Sequence, residues 1–163
     1  MSTAPERLYE DDFYAWTQQQ AKELRRFART RPNLPLDLAH LAEEIQDLGK
    51  CERDAVFSLA DQIIQHLLLI EYSPAREQRL HWMDEVDEFR DQVERKLSPT
   101  IRRHLKRELD EVFARARRRL VRKLRRYGED GAADALPTDC PYTLDQVLGH
   151  WMPQPRAGED GEP

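Results

Sequence analysis

Two ionisable residues fall on the apolar face of the longest predicted helix, where they could form either a reactive centre or a structural ion pair. On a continuous helix of 3.6 residues per turn, Glu52 and His66 project into the same arc as Leu59 and Ile63. A buried charge without a partner is costly, so each side chain needs a partner. The two residues are 14 positions apart, about 21 Å along the axis, and cannot reach each other.

An antiparallel helical hairpin predicts partners for both residues. If the chain turns near Ser73, Glu52 lies within one turn of Arg90. In the same arrangement His66 lies within one turn of Arg79. We interpret these four residues as structural buried polar groups that fix the register of the helices. The alternative is an unrecognised metal-dependent or hydrolytic enzyme built around His66 and Glu52.

Other patterns that could carry catalysis are weak. Several histidines have a carboxylate on the same helical face, but the sequence has no Glu-x-x-His, which di-iron carboxylate bundles require. Glycine-rich phosphate loops and the Gly-x-Ser-x-Gly elbow are absent from the sequence as well. We predict no catalytic residue, no metal and no cofactor, and interpret the histidine pairs as surface contacts. These pairs are His40 with Glu43 and Glu44, His81 with Glu85, and His104 with Glu108.

A run of cations on one predicted helix is the most informative pattern. Residues 115–126 hold eight Lys and Arg side chains, and residues 99–127 carry a net charge of +9 in a chain of net charge −5. Apolar residues recur at three- and four-residue steps through the same segment, so most cations lie away from the core. We predict a surface for an anion or a partner formed by Arg115, Arg118, Arg119, Arg122, Lys123, Arg125 and Arg126.

Three fates are open for this positive surface. It can be solvated or neutralised within the chain by acidic residues such as Asp11, Asp12, Glu129, Asp130 and Asp134. It can bind a protein partner or a second copy, or it can contact nucleic-acid phosphates. The hairpin arrangement places it beside residues 71–82, from which we expect little neutralisation. No aromatic residue is interleaved with the arginines, which argues against the binding of nucleic acid.

The spacing of apolar residues predicts the elements that position these groups. We predict an all-α fold, a mostly antiparallel bundle of four main helices plus a short C-terminal helix. The main helices are expected over 10–29, 36–70, 74–97 and 99–127, and a Thr143–Gln146 capping box opens the short one, which runs through about Leu148. Pro32 and Pro35 mark a linker, and Gly49 lies inside the second helix, which we predict to be continuous. Gly128 is expected to end the fourth helix, before a loop over 128–141. Tyr9, Phe13, Trp16, Trp82 and Phe89 are expected in the core or at its ends.

Length and composition bound the class of protein. The 163 residues are 39% hydrophobic and 35% charged, which suits one domain over 1–152 followed by a flexible tail over 153–163. The longest apolar stretch, 63–70, is far shorter than the ~20 residues of a membrane helix. Cys51 and Cys140 form no CxxC pair, and the first 30 residues contain no apolar signal-peptide region. We therefore expect a cytoplasmic protein that does not enter a membrane.

Several segments of the chain together resemble one bacterial family. They are YEDDFYAW at 9–16, LAEEI at 41–45 followed by Gly49, HLL at 66–68, and LPTDCPYTL at 136–144 followed by Gln146. In this combination the chain resembles the "domain of unknown function 29" family from about Leu8 to Pro153. The resemblance implies an α-helical domain with no established activity and supplies no catalytic residue. It does not account for the dense cations at 115–126.

These patterns predict an uncharacterised bacterial helical protein that acts as a non-enzymatic interaction module. Its partner would be another protein or a second copy bound through an exposed helix face. The first alternative is a nucleic-acid-binding accessory protein that uses residues 115–126, and the second is the enzyme described above.

Overall fold

The computed structural model describes residues 4–31 and 33–156, and within these residues it is helical without any strand. The helices are α1 (Ala4–Asp11), α2 (Phe13–Thr30), α3 (Leu38–Tyr72), α4 (Arg79–Lys96), α5 (Pro99–Arg107), α6 (Leu109–Arg126), α7 (Asp130–Ala135) and α8 (Leu144–Leu148). A 3₁₀ turn, Arg76–Gln78, precedes α4. The all-α prediction is confirmed.

The described residues divide into two compact units. Unit 1 contains the chain up to Val56 together with Lys96–His104. Unit 2 contains Phe57–Arg95 and the chain from Leu105 onward. The long helix α3 gives its first half to unit 1 and its second half to unit 2.

In unit 1, Asp12 separates α1 from α2 and caps two helices. Its carboxylate accepts hydrogen bonds from the backbone N–H of Ala15 at 3.0 Å and of Thr100 at 2.9 Å. One side chain therefore satisfies donors that the starts of α2 and α5 leave without intrahelical partners. The predicted single helix over 10–29 was wrong at its beginning, because Asp12 acts as an N-cap and not as an interior residue.

Gly49 lets α2 and α3 approach closely in unit 1. Thr17, Ala21 and Ala42 are fully buried, so small side chains form this contact. A Cβ added at Gly49 would overlap the Thr17 hydroxyl and lie 3.2 Å from Thr17 Cβ. The glycine is thus required by packing and not by a break, and the prediction of one continuous second helix is confirmed.

In unit 2, the second half of α3 buries a broad apolar face. Ile63, Ile64, Leu67 and Leu68 are each 0% exposed on this side of the helix, whereas Gln62 is exposed. An apolar face of this width requires neighbouring elements packed against it. Further buried residues of this unit come from α4, α6 and the C-terminal segment, among them Val86, Phe113, Leu120, Leu136, Tyr142 and Val147.

The C-terminal segment is attached to the end of α3 by hydrogen bonds. The buried Tyr142 donates its hydroxyl proton to Glu71 Oε2 at 3.0 Å. Arg156 donates from Nε to Glu71 Oε1 at 3.2 Å and from its backbone N–H to the Glu71 carbonyl oxygen at 2.9 Å. Pro153 is buried, so residues 153–156 of the predicted tail make defined contacts. Residues 157–163 lie outside the described residues.

Several predicted boundaries are corrected by the structure. The helix expected from residue 74 begins at Arg79 after the 3₁₀ turn, and the helix expected over 99–127 divides at Glu108 into α5 and α6. The loop expected over 128–141 contains α7.

The helix-end signals at Gly128 and Thr143 are present in the structure. Gly128 has φ +78°, and its N–H and that of Glu129 bond back to the carbonyl oxygens of Arg125 and Leu124, a Schellman ending. The capping box of Thr143 and Gln146 is present. Pro32 lies outside the described residues.

The predicted core aromatics are less enclosed than expected. Phe13, Trp16, Trp82 and Phe89 are half-buried, and Tyr9 is 50% exposed. In unit 1, Tyr9, Phe13 and Trp16 contact one another, with ring centroids 4.8 to 5.8 Å apart. These three rings therefore form a partly exposed cluster in unit 1.

The variant Gly49→Ala should destabilise the protein although alanine is the better helix former by about 1 kcal/mol. The added methyl group overlaps Thr17, and overpacking of this kind costs about 1–3 kcal/mol. Urea unfolding of Gly49→Ala should show a lower midpoint, and the added substitution Thr17→Ala should restore part of it. Gly131→Ala is the control, since a Cβ there meets nothing within 4 Å. Equal stability of Gly49→Ala and Gly131→Ala would contradict the close approach of α2 and α3 at Gly49.

The variant Asp12→Asn should lose stability in a pH-dependent way. Burial acts to raise the pKa of Asp12, but hydrogen bonds from Ala15 and Thr100 outweigh it, and the pKa lies below the usual 3.8. A lowered pKa stabilises the fold above pH 4, and this contribution disappears as the pH falls through the folded-state value. We expect a loss of about 1 kcal/mol at pH 7 that shrinks below pH 4. Urea titrations at several pH values, with the exposed Asp11→Asn as control, measure this. A loss that stays constant down to pH 2 would refute the capping role.

Candidate functional site: the cationic face of helix α6

Helix α6 has an apolar face and a cationic face. Its buried residues are Val112, Phe113, Ala116, Leu120 and Leu124. The helical period places the predicted cations on the opposite side. We name the cationic face as Arg115, Arg118, Arg119, Arg122, Lys123, Arg125 and Arg126. Arg117 lies outside this face and donates to the carbonyl oxygens of Pro137 at 2.7 Å and Leu136 at 3.4 Å.

A buried carboxylate on α3 holds two of these arginines. The Asp61 side chain is 1% exposed, and its Oδ2 lies 3.2 Å from Arg115 Nε and 3.5 Å from Arg119 Nη1. Gln65 donates to the other oxygen, Oδ1. The two arginine side chains remain 43% and 55% exposed. The two arginines thereby neutralise the buried Asp61 carboxylate, while their guanidinium groups remain partly exposed to solvent.

A third cation is paired at the surface. Arg125 Nη2 lies 3.2 Å from Asp134 Oδ1 on α7, and both side chains are more than half exposed. An exposed pair of this kind contributes about 0–1 kcal/mol. Asp134 was among the acidic residues predicted to neutralise the basic helix, whereas Asp61 was not.

The other four cations stay open to solvent. Arg118, Arg122, Lys123 and Arg126 are exposed and form no ion pair with the residues that the structure describes. Neutralisation of the cationic face comes from Asp61 on α3 and Asp134 on α7, of which only Asp134 was predicted. The predicted surface is therefore partly neutralised within the chain and partly free.

Glu52 is a surface residue of unit 1. Lys96 Nζ lies 3.2 Å and 3.4 Å from its two carboxylate oxygens, and the Glu52 side chain is 33% exposed. Lys96 therefore takes the place predicted for Arg90. A half-exposed pair such as this contributes little to stability.

His66, in unit 2, uses both ring nitrogens within the protein. Nε2 lies 2.7 Å from Glu85 Oε2, and Nδ1 lies 2.8 Å from the Gln62 carbonyl oxygen. Phe89 packs edge-on against the ring at a centroid distance of 5.4 Å. Glu85 is thus the partner where Arg79 was predicted, and His66 has no free nitrogen to offer a metal or a substrate.

The buried Arg90 binds main-chain oxygens in unit 2. Its guanidinium donates to the carbonyl oxygens of Val147 at 3.0 Å, Gln146 at 2.9 Å and Trp151 at 2.8 Å. Burial lowers the pKa of Arg90, and the nearby Asp87 carboxylate opposes that effect. Arg90 therefore satisfies carbonyl groups that the C-terminal end of α8 leaves unpaired.

Arg79 makes a similar bond to the C-terminal segment. Its Nη2 donates to the Pro153 carbonyl oxygen at 3.0 Å, while its Nε is buried without a hydrogen-bond partner among the described residues. The two arginines predicted as partners of Glu52 and His66 thus serve instead to hold the C-terminal segment.

Residues with metal-binding or nucleophilic chemistry are dispersed. No group of three or more His, Cys, Asp or Glu side chains within 4–31 and 33–156 is arranged to hold a metal ion. His40 bonds to Asp37, which raises the pKa of His40. Both cysteines are free, and burial raises the pKa of the Cys140 thiol, which donates to the Tyr142 carbonyl oxygen.

Comparisons with known proteins agree with this architecture. A family model described as "Domain of unknown function DUF29" matches residues 8–152, and the chain belongs to that family. It is similar to the crystal structure of an alpha-helical protein of unknown function from Rhodospirillum rubrum, with 30% identity and a TM-score of 0.76. The match covers 86% of this chain and 88% of that chain. No curated protein matches. Among the described residues no helix is long and apolar enough to cross a membrane.

Removing the Asp61 carboxylate and removing its two arginine partners should lower the stability of the protein by different amounts. Asp61→Asn leaves Arg115 and Arg119 unpaired, but both reach solvent, so a loss of about 1–3 kcal/mol is expected. The double variant Arg115→Ala/Arg119→Ala leaves a buried carboxylate without a cation and should lose about 3–5 kcal/mol. Chemical unfolding measures both values, with Glu52→Ala as a surface control that should change stability by less than about 1 kcal/mol. An Asp61→Asn variant less stable than the double variant would contradict this order.

Proposed function

We propose that the protein is a non-enzymatic interaction module that self-associates through the helical pair α2–α3 of unit 1. The observation that carries this proposal is that the pair buries small side chains and exposes large apolar ones. An amphipathic pair normally buries its large apolar stripe. A stripe left at the surface is typical of a binding face.

The exposed apolar residues lie on one side of the α2–α3 pair. On the other side, Gln18 and Arg25 bond to Gln46, with Arg25 Nη2 2.7 Å from Gln46 Oε1. The helical period puts Phe27 and Leu48 on the flanks of α2 and α3 away from this polar contact. We define the apolar face as Leu24, Phe27, Leu41, Ile45 and Leu48.

The exposure of this face is substantial. Phe27 and Leu41 are each 44% exposed and Leu48 is 55% exposed, while Leu24 and Ile45 are half-buried. Leu36, in the connection between the helices, is 59% exposed. Burying large apolar side chains yields about 1.5–3 kcal/mol each when they are fully covered. Partial cover of this face by a partner therefore supports a stable association.

A second copy of the chain is the occupant that fits this face. Its border on α2 carries an ion pair, Arg26 Nε to Glu23 Oε2 at 3.1 Å, so both signs of charge are present at the edge. Two copies related by a two-fold axis present the same patch to each other, which requires a surface complementary to itself. An apolar face with charges of both signs at its border meets that requirement.

We place this module in the cytoplasm. The two thiols, Cys51 and Cys140, are unpaired in the structure, as is usual for proteins of a reducing compartment. The proposal assigns no catalytic residue, since His66 and Glu52 are both engaged within the chain.

The variant Leu41→Lys/Leu48→Lys should dissociate the dimer. Two ammonium groups from each copy, buried at the interface, would raise the dissociation constant at least about tenfold, while the exposed positions leave the fold unchanged. Sedimentation equilibrium over a range of concentrations measures the association, and circular dichroism verifies the fold. Leu80→Lys is the control, because Leu80 is 74% exposed on α4 in unit 2. A wild-type chain that stays monomeric at all concentrations, or a control that dissociates equally, would refute self-association through this face.

A further inference from the structure

The open part of the cationic face is a regular row of charges. Arg118, Arg122 and Arg126 follow one another at four-residue steps, so their Cα atoms rise by about 6 Å per step along one side of α6. Lys123 lies beside this row. Since these four cations form no ion pair with the described residues, they are available to an external anion with several charges.

Two further arginines of the face are held in place beside this row. Arg115 and Arg119 are bound from the core side by the buried Asp61 carboxylate and keep half of their surface in solvent. A side chain already held in one position loses less conformational entropy when a ligand binds. The row of free cations thus has ordered positive groups next to it.

An aromatic cleft lies at the C-terminal end of the same helix. Lys123 of α6 and Tyr127, the residue that follows the helix, line it together with Trp82 of α4 and Gln78 of the 3₁₀ turn. The Tyr127 side chain is 71% exposed and Trp82 is half-buried. The sequence showed no aromatic residue among the arginines, but the fold brings two aromatic rings to their end.

We propose that the cationic face and this cleft bind single-stranded nucleic acid. Phosphates lie along Arg118, Arg122, Arg126 and Lys123, and an unpaired base stacks on the exposed Tyr127 ring. Cations that follow the backbone together with an aromatic platform for bases are the two parts of such sites. This inference goes beyond the proposed self-association, which uses unit 1, whereas the nucleic-acid surface lies wholly in unit 2.

The composition of the cleft favours a single strand over other polyanions. Glu77 and Glu129 also line it, and their carboxylates accept hydrogen bonds from base amino groups but repel phosphates. A single strand can place a base beside these carboxylates and keep its phosphates away from them, on the arginines. A duplex exposes phosphates and encloses its base faces, and an acidic peptide has no group that requires an exposed tyrosine beside the cations.

Fluorescence anisotropy with a labelled single-stranded oligonucleotide of mixed sequence, in DNA and RNA forms, tests the proposal. Wild type should bind at low salt, with affinity falling as salt rises. The variant Arg118→Ala/Arg122→Ala/Arg126→Ala should weaken binding and reduce the slope of log affinity against log salt by about 2. The control Arg7→Ala/Arg29→Ala/Arg31→Ala changes the net charge equally at exposed positions of unit 1 and should leave the slope unchanged.

A second variant isolates the aromatic contribution. Tyr127→Ala should lower affinity about fivefold or more with an unchanged salt slope, and Tyr127→Phe should restore it, because stacking needs the ring and not the hydroxyl. The variant Leu41→Lys/Leu48→Lys should bind the oligonucleotide as well as wild type, which separates this surface from self-association.

Five results would overturn the proposal. Three of them are no binding at low salt, an equal loss in both triple variants, and no effect of Tyr127→Ala. The fourth is competition by polyglutamate as effective as by unlabelled oligonucleotide, which would instead assign the cationic face to an acidic protein partner. The fifth is a duplex of the same sequence that binds as tightly as the single strand, which would exclude the role of the cleft.

Discussion

The contact between Asp61 and two arginines determines how α6 can be used. A carboxylate with 1% exposure in the middle of the buried half of α3 is tolerable only with cations beside it, since an isolated buried charge is costly. Arg115 and Arg119 supply those cations from α6, and this fixes the rotation of α6 about its own axis. Once that rotation is set, Arg118, Arg122 and Arg126 must point outward. The open charges of unit 2 therefore lie opposite a helix face that both the Asp61 contact and the buried apolar residues of α6 hold toward the core.

Local signals in the sequence predicted the helical class and several element ends. The capping box at Thr143, the left-handed Gly128 and the uninterrupted α3 depend on nearby residues, so spacing and residue type were sufficient. The break at Glu108 carries no glycine or proline and could not be read from composition. Asp61 was missed because only helices that are neighbours in sequence were compared, whereas its partners Arg115 and Arg119 lie 54 and 58 positions away on α6.

The predicted polar residues show the same limit. Arg90 and Arg79 were predicted as buried partners of Glu52 and His66, but they bind carbonyl oxygens of the C-terminal segment. Every residue carries a main-chain carbonyl oxygen, so a comparison of complementary side chains in the sequence cannot identify these acceptors. Phe13 and Trp16 were expected in the core or at its ends, and it is instead Thr17 and Ala21 that are fully buried on α2. Gly49 accounts for this choice, because only small side chains fit where the two backbones approach so closely.

The use of backbone acceptors by Arg90 has a consequence for sequence variation. Because the guanidinium binds the carbonyl oxygens of Gln146, Val147 and Trp151, the side chains at those three positions contribute nothing to these bonds. The side chains there have separate roles, since Gln146 completes the capping box of α8 and Val147 is fully buried. A substitution at Arg90 would free three acceptors at once. The attachment of the segment by these bonds thus depends on the residue type at position 90 and only on the backbone at its three partners.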